Sequence, residues 1–351
     1  MPVSSRMMRP VDLRSDTTTQ PTPEMREAMA AAPLGDDVLE GDPTVRELEA
    51  KVAALLGKDE ALFVPSGTMA NLLALRSQTS HGDEMICDHE CHIVYYETGG
   101  YAAIAGLSVR YTRGHRGLFS AEDFEPLVRL WDDPHFPRPK LLAIENTHNR
   151  GGGIPWPVDQ LAHVAERAHE RGLRVHIDGA RLWNACAAVG CEPSEFAKHA
   201  DTVSVCFSKG LGCPVGSALV GDTPTIKKAR HLRKQLGGAM RQAGGLAAAA
   251  IYALDHHRER MIKDHTRARK LCDLIADARG IAVDRERVQT NMVYFDVDPS
   301  LGTAGEFCER VKDDVLMLDE GPQSVRAVVH LHIDDAAIER AGAAIRSAAQ
   351  G

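Results

Sequence analysis

The sequence contains no run of about 18 or more apolar residues, so a membrane-spanning helix is not expected. It has no basic excess: 41 Lys and Arg face 49 Asp and Glu, for a formal charge of −8. Sequence-independent attraction to the phosphates of nucleic acid is therefore not expected either. The N-terminal stretch from Met1 to Pro10 lacks the apolar segment of a secretory signal, which points to the cytoplasm. Eight cysteines in 351 residues are too sparse for a disulfide scaffold, so reduced thiols are the expectation. Cys87-Asp88-His89-Glu90-Cys91-His92 crowds four soft or borderline ligands together, but no second pair stands at a zinc-site distance, and no metal is expected. With no internal repeat or low-complexity linker, the order of elements must carry the topology.

What is present is an alternation. Short apolar runs (Ala61-Leu62-Phe63-Val64, Glu84-Met85-Ile86, Leu141-Leu142-Ala143-Ile144, Arg174-Val175-His176-Ile177, Thr202-Val203-Ser204-Val205-Cys206, Ser217-Ala218-Leu219-Val220) are separated by amphipathic stretches. This reads as an α/β protein built of βαβ units around a mostly parallel sheet. A helix-forming stretch from about Leu246 to about Ala268 looks like a connector. Beyond it, Asn291 to Val297 and Val325 to His330 are strand-like and helices lie between and after them, so a smaller α+β domain closes the chain. The expected division is an N-terminal arm over 1–25, a large domain over 26–250 and a small C-terminal domain over 251–351.

Ligands of parallel α/β sheets bind beyond the carboxyl ends of the strands, and three such ends carry chemistry. At Val64-Pro65-Ser66-Gly67-Thr68, amides at a helix start, a glycine and two hydroxyls make either a phosphate cradle or an ordinary helix cap. At His176-Ile177-Asp178-Gly179-Ala180-Arg181, a strand-end carboxylate can hold a pyridine nitrogen protonated. Arg181 can offer a fork to a carboxylate or phosphate there, or the pair is simply a turn with a salt bridge. At Ser208-Lys209-Gly210, a lysine just past a strand and with no adjacent acid suits Schiff-base chemistry, where the bland reading is a solvated surface lysine. In that order the three supply anchors for the phosphate, ring nitrogen and aldehyde of one cofactor, pyridoxal phosphate (PLP).

The chain resembles the low-specificity L-threonine aldolases. The segments that carry the resemblance are Asp12-Leu13-Arg14-Ser15-Asp16-Thr17-Thr18-Thr19, Gly35-Asp36-Asp37-Val38, Asp42-Pro43-Thr44-Val45, Phe63 to Asn71, Glu145-Asn146-Thr147-His148-Asn149, the Asp178 turn, the Lys209 loop, and Leu236-Gly237-Gly238-Ala239-Met240-Arg241-Gln242. The resemblance implies PLP fold type I, with a seven-stranded, mostly parallel sheet flanked by helices and a smaller C-terminal domain. It implies that Lys209 carries the cofactor, that Asp178 pairs with its ring nitrogen, and that Ser66, Gly67 and Thr68 hold its phosphate. His92 matches a histidine stacked on the ring, and His135 matches a second active-site histidine that meets the substrate. Ser15, Arg181 and Arg326 match groups that fix the amino-acid carboxylate, Arg181 also lying against the cofactor. Arg241 matches a residue reaching the phosphate of a neighbouring subunit, which implies a homo-oligomer, a tetramer with shared active sites.

The implied activity is reversible cleavage of L-threonine, L-allo-threonine and related β-hydroxy-α-amino acids to glycine and an aldehyde. Another PLP-dependent lyase or transaminase on the same scaffold, or a PLP-binding sensor without turnover, are the alternatives. The pattern departs from the family after Val38, where many relatives have a tyrosine near the site and this chain continues Leu39-Glu40-Gly41.

Overall fold

Seven strands form the central sheet: β1 (Glu60–Val64), β2 (Glu84–Asp88), β3 (Ser108–Thr112), β4 (Pro139–Glu145), β5 (Arg174–Gly179), β6 (Thr202–Cys206) and β7 (Ser217–Gly221). This computed structural model describes residues 9–350. The N-terminal residues before Arg9, on which much of the expectation of a cytoplasmic protein rests, lie outside the described residues. No helix among the described residues is long and apolar enough to cross a membrane.

Across the sheet the order is β1-β7-β6-β5-β4-β2-β3. All pairings are parallel except those of β7, which runs antiparallel to both β1 and β6. Six of these strands coincide with apolar runs legible in the sequence. The seventh, Ser-Val-Arg-Tyr-Thr at β3, does not, because this edge strand, unlike the covered edge strand β1, is exposed or half-buried at four of its five positions and needs no continuous apolar run.

The chain forms two compact units, one of Gln20–Arg260 and one that joins the described residues up to Thr19 with those from Met261 onward. The division thus falls after Thr19 and after Arg260 rather than after 25 and 250. The connector expected over about 246–268 is two helices, Gly244–His256 and Met261–Ile275. No proline or glycine breaks it. The interruption is tertiary: His257 Nδ1 lies 2.7 Å from the Leu211 carbonyl oxygen, and Arg258 sits over the Trp183 ring and pairs with Glu192. These contacts offset the helical hydrogen bonds given up, as tertiary context often does to propensity.

In the larger unit, Asp42 explains the Asp-Pro-Thr-Val motif. It caps the helix Pro43–Leu56 by accepting from the amides of Thr44 and Val45, with proline at the first helical position where a missing N–H costs nothing. Its second oxygen accepts from Gly35 and Gly244, so one buried carboxylate ties two distant loops to a helix start. The Gly-Asp-Asp-Val segment is fastened likewise: Arg233 and Asp37 form a buried ion pair at 2.8 Å, and Arg241 pairs with Asp36. In the smaller unit, four antiparallel strands run in the order Leu318–Asp319, Ser324–Val328, Met292–Val297, Ile281–Val283, and Val11–Asp12 pairs in parallel with Val315–Leu316.

Candidate active site

The carboxyl ends of β1, β5 and β6 open into a cleft of about 190 Å³ lined by Ser66, Gly67, Thr68, His92, Asp178 and Lys209, together with Asn71 and Glu97. Ser66 caps the helix Gly67–Gln78, its hydroxyl accepting from the Met69 amide at 3.2 Å and its carbonyl from Ala70, and the amides of Gly67 and Thr68 at the helix start have no carbonyl of the helix to meet. Gly67 has to be glycine for packing: a Cβ there would stand 2.8 Å from Cys206 Sγ, at the end of β6.

Lys209 sits in the loop joining the antiparallel β6 and β7. The loop is closed by the Gly212 amide donating to the Lys209 carbonyl, the Cys213 amide to Phe207 and the Phe207 amide to Gly216. Gly216 has φ +116°, and a Cβ there would lie 2.6 Å from the Phe63 ring. Gly216→Ala is therefore expected to cost roughly 1–3 kcal/mol through strain and overpacking. A denaturant midpoint unchanged from wild type would show that the loop has slack that the geometry denies.

Asp178, 1% exposed at the end of β5, accepts from Asn71 Nδ2 at 2.8 Å and from the Ala180 amide at 3.1 Å. Burial by itself pushes this carboxyl up, but positive charge at His92 and Lys209 outweighs it and holds Asp178 below the ordinary carboxylate range. His92 opens the short helix His92–Tyr95, and its backbone amide donates to Glu145 Oε2 at 2.7 Å. The other Glu145 oxygen accepts from Asn149, so the Glu-Asn-Thr-His-Asn segment anchors the His92 turn. His92 Nδ1 lies 2.9 Å from Glu97 Oε1. Burial works against protonating this imidazole, yet Glu97, Asp178 and Glu145 together raise its pKa. Glu97 is pushed up by its burial, a rise that the hydrogen bond to His92 offsets only in part.

His92, Glu97 and Asp178 bring polar atoms within 4.8 Å of one another. Glu97 Oε1 already accepts from Asn71 Nδ2 and faces His92, so the trio reads as a closed hydrogen-bond network.

The remaining candidates are placed differently. Arg181 is buried at the start of the helix Leu182–Val189, directly after the Asp178 turn. His135 stands on an exposed turn, its side chain 85% accessible and beside Asp133 at 2.8 Å, and it does not line the cleft. Arg241 is half exposed and held by Asp36. Ser15 and Arg326 belong to the smaller unit, where Ser15 caps the turn Asp16–Thr18 and Arg326 donates to the Arg14 carbonyl and pairs with Glu320 at 2.7 Å. Leu39, at the departure from the family pattern, is 82% exposed.

Sequence reasoning passed over Asn71, Glu97 and His176 as site residues. His176 and Asp178 alternate along β5 and so share a face, a signal available in the sequence. Glu97 carries none, because only the fold returns it to His92.

The beta-eliminating lyase family model matches residues 12–298. A low-specificity L-threonine aldolase of Arabidopsis thaliana is 42% identical over 93% of this chain and 93% of its own. The low-specificity L-threonine aldolase of Escherichia coli K12 is 41% identical over 92% and 94%. Among solved structures, a threonine aldolase of Leishmania major superposes with a TM-score of 0.82 at 21% identity, covering 97% of this chain and all of that one.

Proposed function

Because the chain belongs to the beta-eliminating lyase family, with low-specificity L-threonine aldolases among its relatives over nearly the full length, we propose that it is a PLP-dependent aldolase. It cleaves L-threonine, L-allo-threonine and related β-hydroxy-α-amino acids to glycine and an aldehyde. The observation that carries this reading is the convergence of Lys209, Asp178 and the Gly67 helix start on one cleft.

The residues present suit PLP by their chemistry. An amine, a buried carboxylate held ionised, and the amides and hydroxyls of Ser66, Gly67 and Thr68 at a helix N-terminus match its aldehyde, ring nitrogen and phosphate. When bound, PLP supplies the sink for the electron pair released as the Cα–Cβ bond breaks. Lys209 would hold the cofactor through its amine. Asp178 keeps the ring nitrogen protonated. Arg181, Ser15 and Arg326 are assigned to the substrate carboxylate on the family resemblance alone, a grip that would select which Cα bond breaks.

His92 is the candidate to take the β-hydroxyl proton, with His135, on an exposed turn of this chain, as the second candidate on the family resemblance. A histidine base works unprotonated, and the pKa of His92 is raised above the ordinary value of about 6.5. The acid limb of kcat/KM is thus expected above pH 6.5 and should vanish in His92→Asn; an identical limb in that variant would move the base elsewhere. Arg241 is assigned to the phosphate of a neighbouring subunit in a homotetramer, and light scattering of the purified protein tests the assembly. The cytoplasm remains the proposed compartment.

The test of the function is direct. Purified protein given PLP and either threonine diastereomer should form glycine and acetaldehyde in equal amounts. Ammonia and a keto acid without aldehyde would replace the aldolase by another PLP reaction, and bound cofactor without turnover would replace it by a sensor.

A further inference from the structure

Behind Asp178 lies a buried chain of polar side chains that the chemistry above does not use. Arg174 Nε donates to Gln78 Oε1 at 2.9 Å, and Gln78 Nε2 donates to Thr202 Oγ1 at 2.7 Å. Thr202 Oγ1 is 2.9 Å from His176 Nδ1, and His176 Nε2 is 3.1 Å from Asn71 Oδ1. Asn71 Nδ2 then donates to both Glu97 and Asp178 at 2.8 Å. Every member from Gln78 to Asp178 is buried.

The two ends of the chain set the directions of the links between them. A guanidinium can only donate, so Gln78 must turn its oxygen to Arg174. The Ala74 carbonyl, which accepts from Gln78 Nε2 at 3.0 Å, demands the same orientation. From the other end, the ionised Asp178 carboxylate can only accept, so Asn71 turns Nδ2 to it and its oxygen to His176. A neutral His176 then carries its proton on Nε2 and accepts at Nδ1 from the Thr202 hydroxyl, whose oxygen accepts from Gln78. Ser204 Oγ can donate to the same Asn71 oxygen at 2.8 Å. Burial pushes His176 down to about 4, in keeping with a neutral ring.

We propose that this chain of hydrogen bonds, fixed by Arg174 at one end and by Asp178 at the other, makes Asn71 a positioning residue that presents its amide N–H groups to Asp178 and so holds in place the carboxylate that meets the cofactor ring. The proposal rests on the reading of Asp178 given above. The charged groups around the chain are consistent with it. Arg174 is held by Asp201 and Asp222 at the far end, and His92, Lys209 and Glu97 surround Asp178 at the near end. Turning Asn71 over would set its oxygen against two buried carboxyl groups, which is costly where water cannot screen it.

The experiment uses full-length protein with PLP bound and [15N]histidine labelling, the His176 signal being identified by its loss in His176→Gln. The expected wild-type signature is a neutral ring protonated at Nε2. Thr202→Val, which keeps the shape and removes the hydroxyl, should mix the two tautomers and weaken PLP binding about tenfold, the scale of one hydrogen bond to a charged group. Thr202→Ser should restore both readings. Asn71→Asp, which puts an acceptor where a donor is required, should weaken PLP binding by at least as much as Thr202→Val. A proton on Nδ1 in the wild type, a charged His176 at neutral pH, or PLP binding within about twofold of wild type in both Thr202→Val and Asn71→Asp would overturn the proposal. Should the unaltered protein bind no PLP, the functional reading fails, and the tautomer of His176 still judges the chain of hydrogen bonds by itself.

Discussion

Lys209→Ala is expected to lower turnover by about 10³-fold or more and to leave PLP unattached to the chain. In the proposed site the amine would carry the cofactor, and among the described residues no other lysine lines the cleft. Two measurements separate these roles. Borohydride treatment followed by intact-mass determination should add one reduced cofactor to the wild-type chain and none to the variant, and glycine formation from L-threonine gives the turnover. The Lys209 loop is braced by backbone hydrogen bonds among Phe207, Gly212, Cys213 and Gly216, so truncating the side chain leaves its frame intact. An unfolded variant is therefore not expected, and a thermal midpoint near wild type belongs with the result. Turnover close to wild type would remove the premise on which the site is built.

The second large effect concerns Asp178. Asp178→Asn keeps the size of the side chain and removes its charge, so the ring nitrogen would lose the partner that keeps it protonated. A fall in kcat of about 10²- to 10³-fold is expected, the scale of removing one preorganised electrostatic group from a water-poor site. KM for threonine should move far less, since this side chain faces the cofactor. The residue is already committed: Asn71 and the Ala180 amide hold its two oxygens, and His92 and Lys209 supply the charge that keeps it ionised against its burial. A kcat within tenfold of wild type would mean that the ring nitrogen does not depend on Asp178.

The order of the chemical groups could be read along the chain because strand ends are where α/β sheets present ligands, and each end carries a different functional group: Ser66-Gly67-Thr68, then Asp178, then Lys209. Six of the seven strands were equally legible, since the five interior strands and the covered edge strand β1 are buried along most of their length and read as apolar runs. The edge strand Ser108–Thr112 was not, and the long connector was read as one helix because local propensity contains nothing of the Arg258–Trp183 and His257–Leu211 contacts that break it.

By itself, then, the sequence determined the fold class, the family, and the three groups proposed to address the cofactor, because these depend on residue type and on order along the chain. Tertiary structure alone decided that Glu97 returns to His92, that Asn71 stands between His176 and Asp178, and that His135 stays out on an exposed turn. Asn71 is far from His176 and Asp178 in the chain, so those distances are set by how a helix lies across the sheet; Glu97 is only five residues from His92, but the turn that joins their side chains is fixed by the packing around it, on which no local pattern reports.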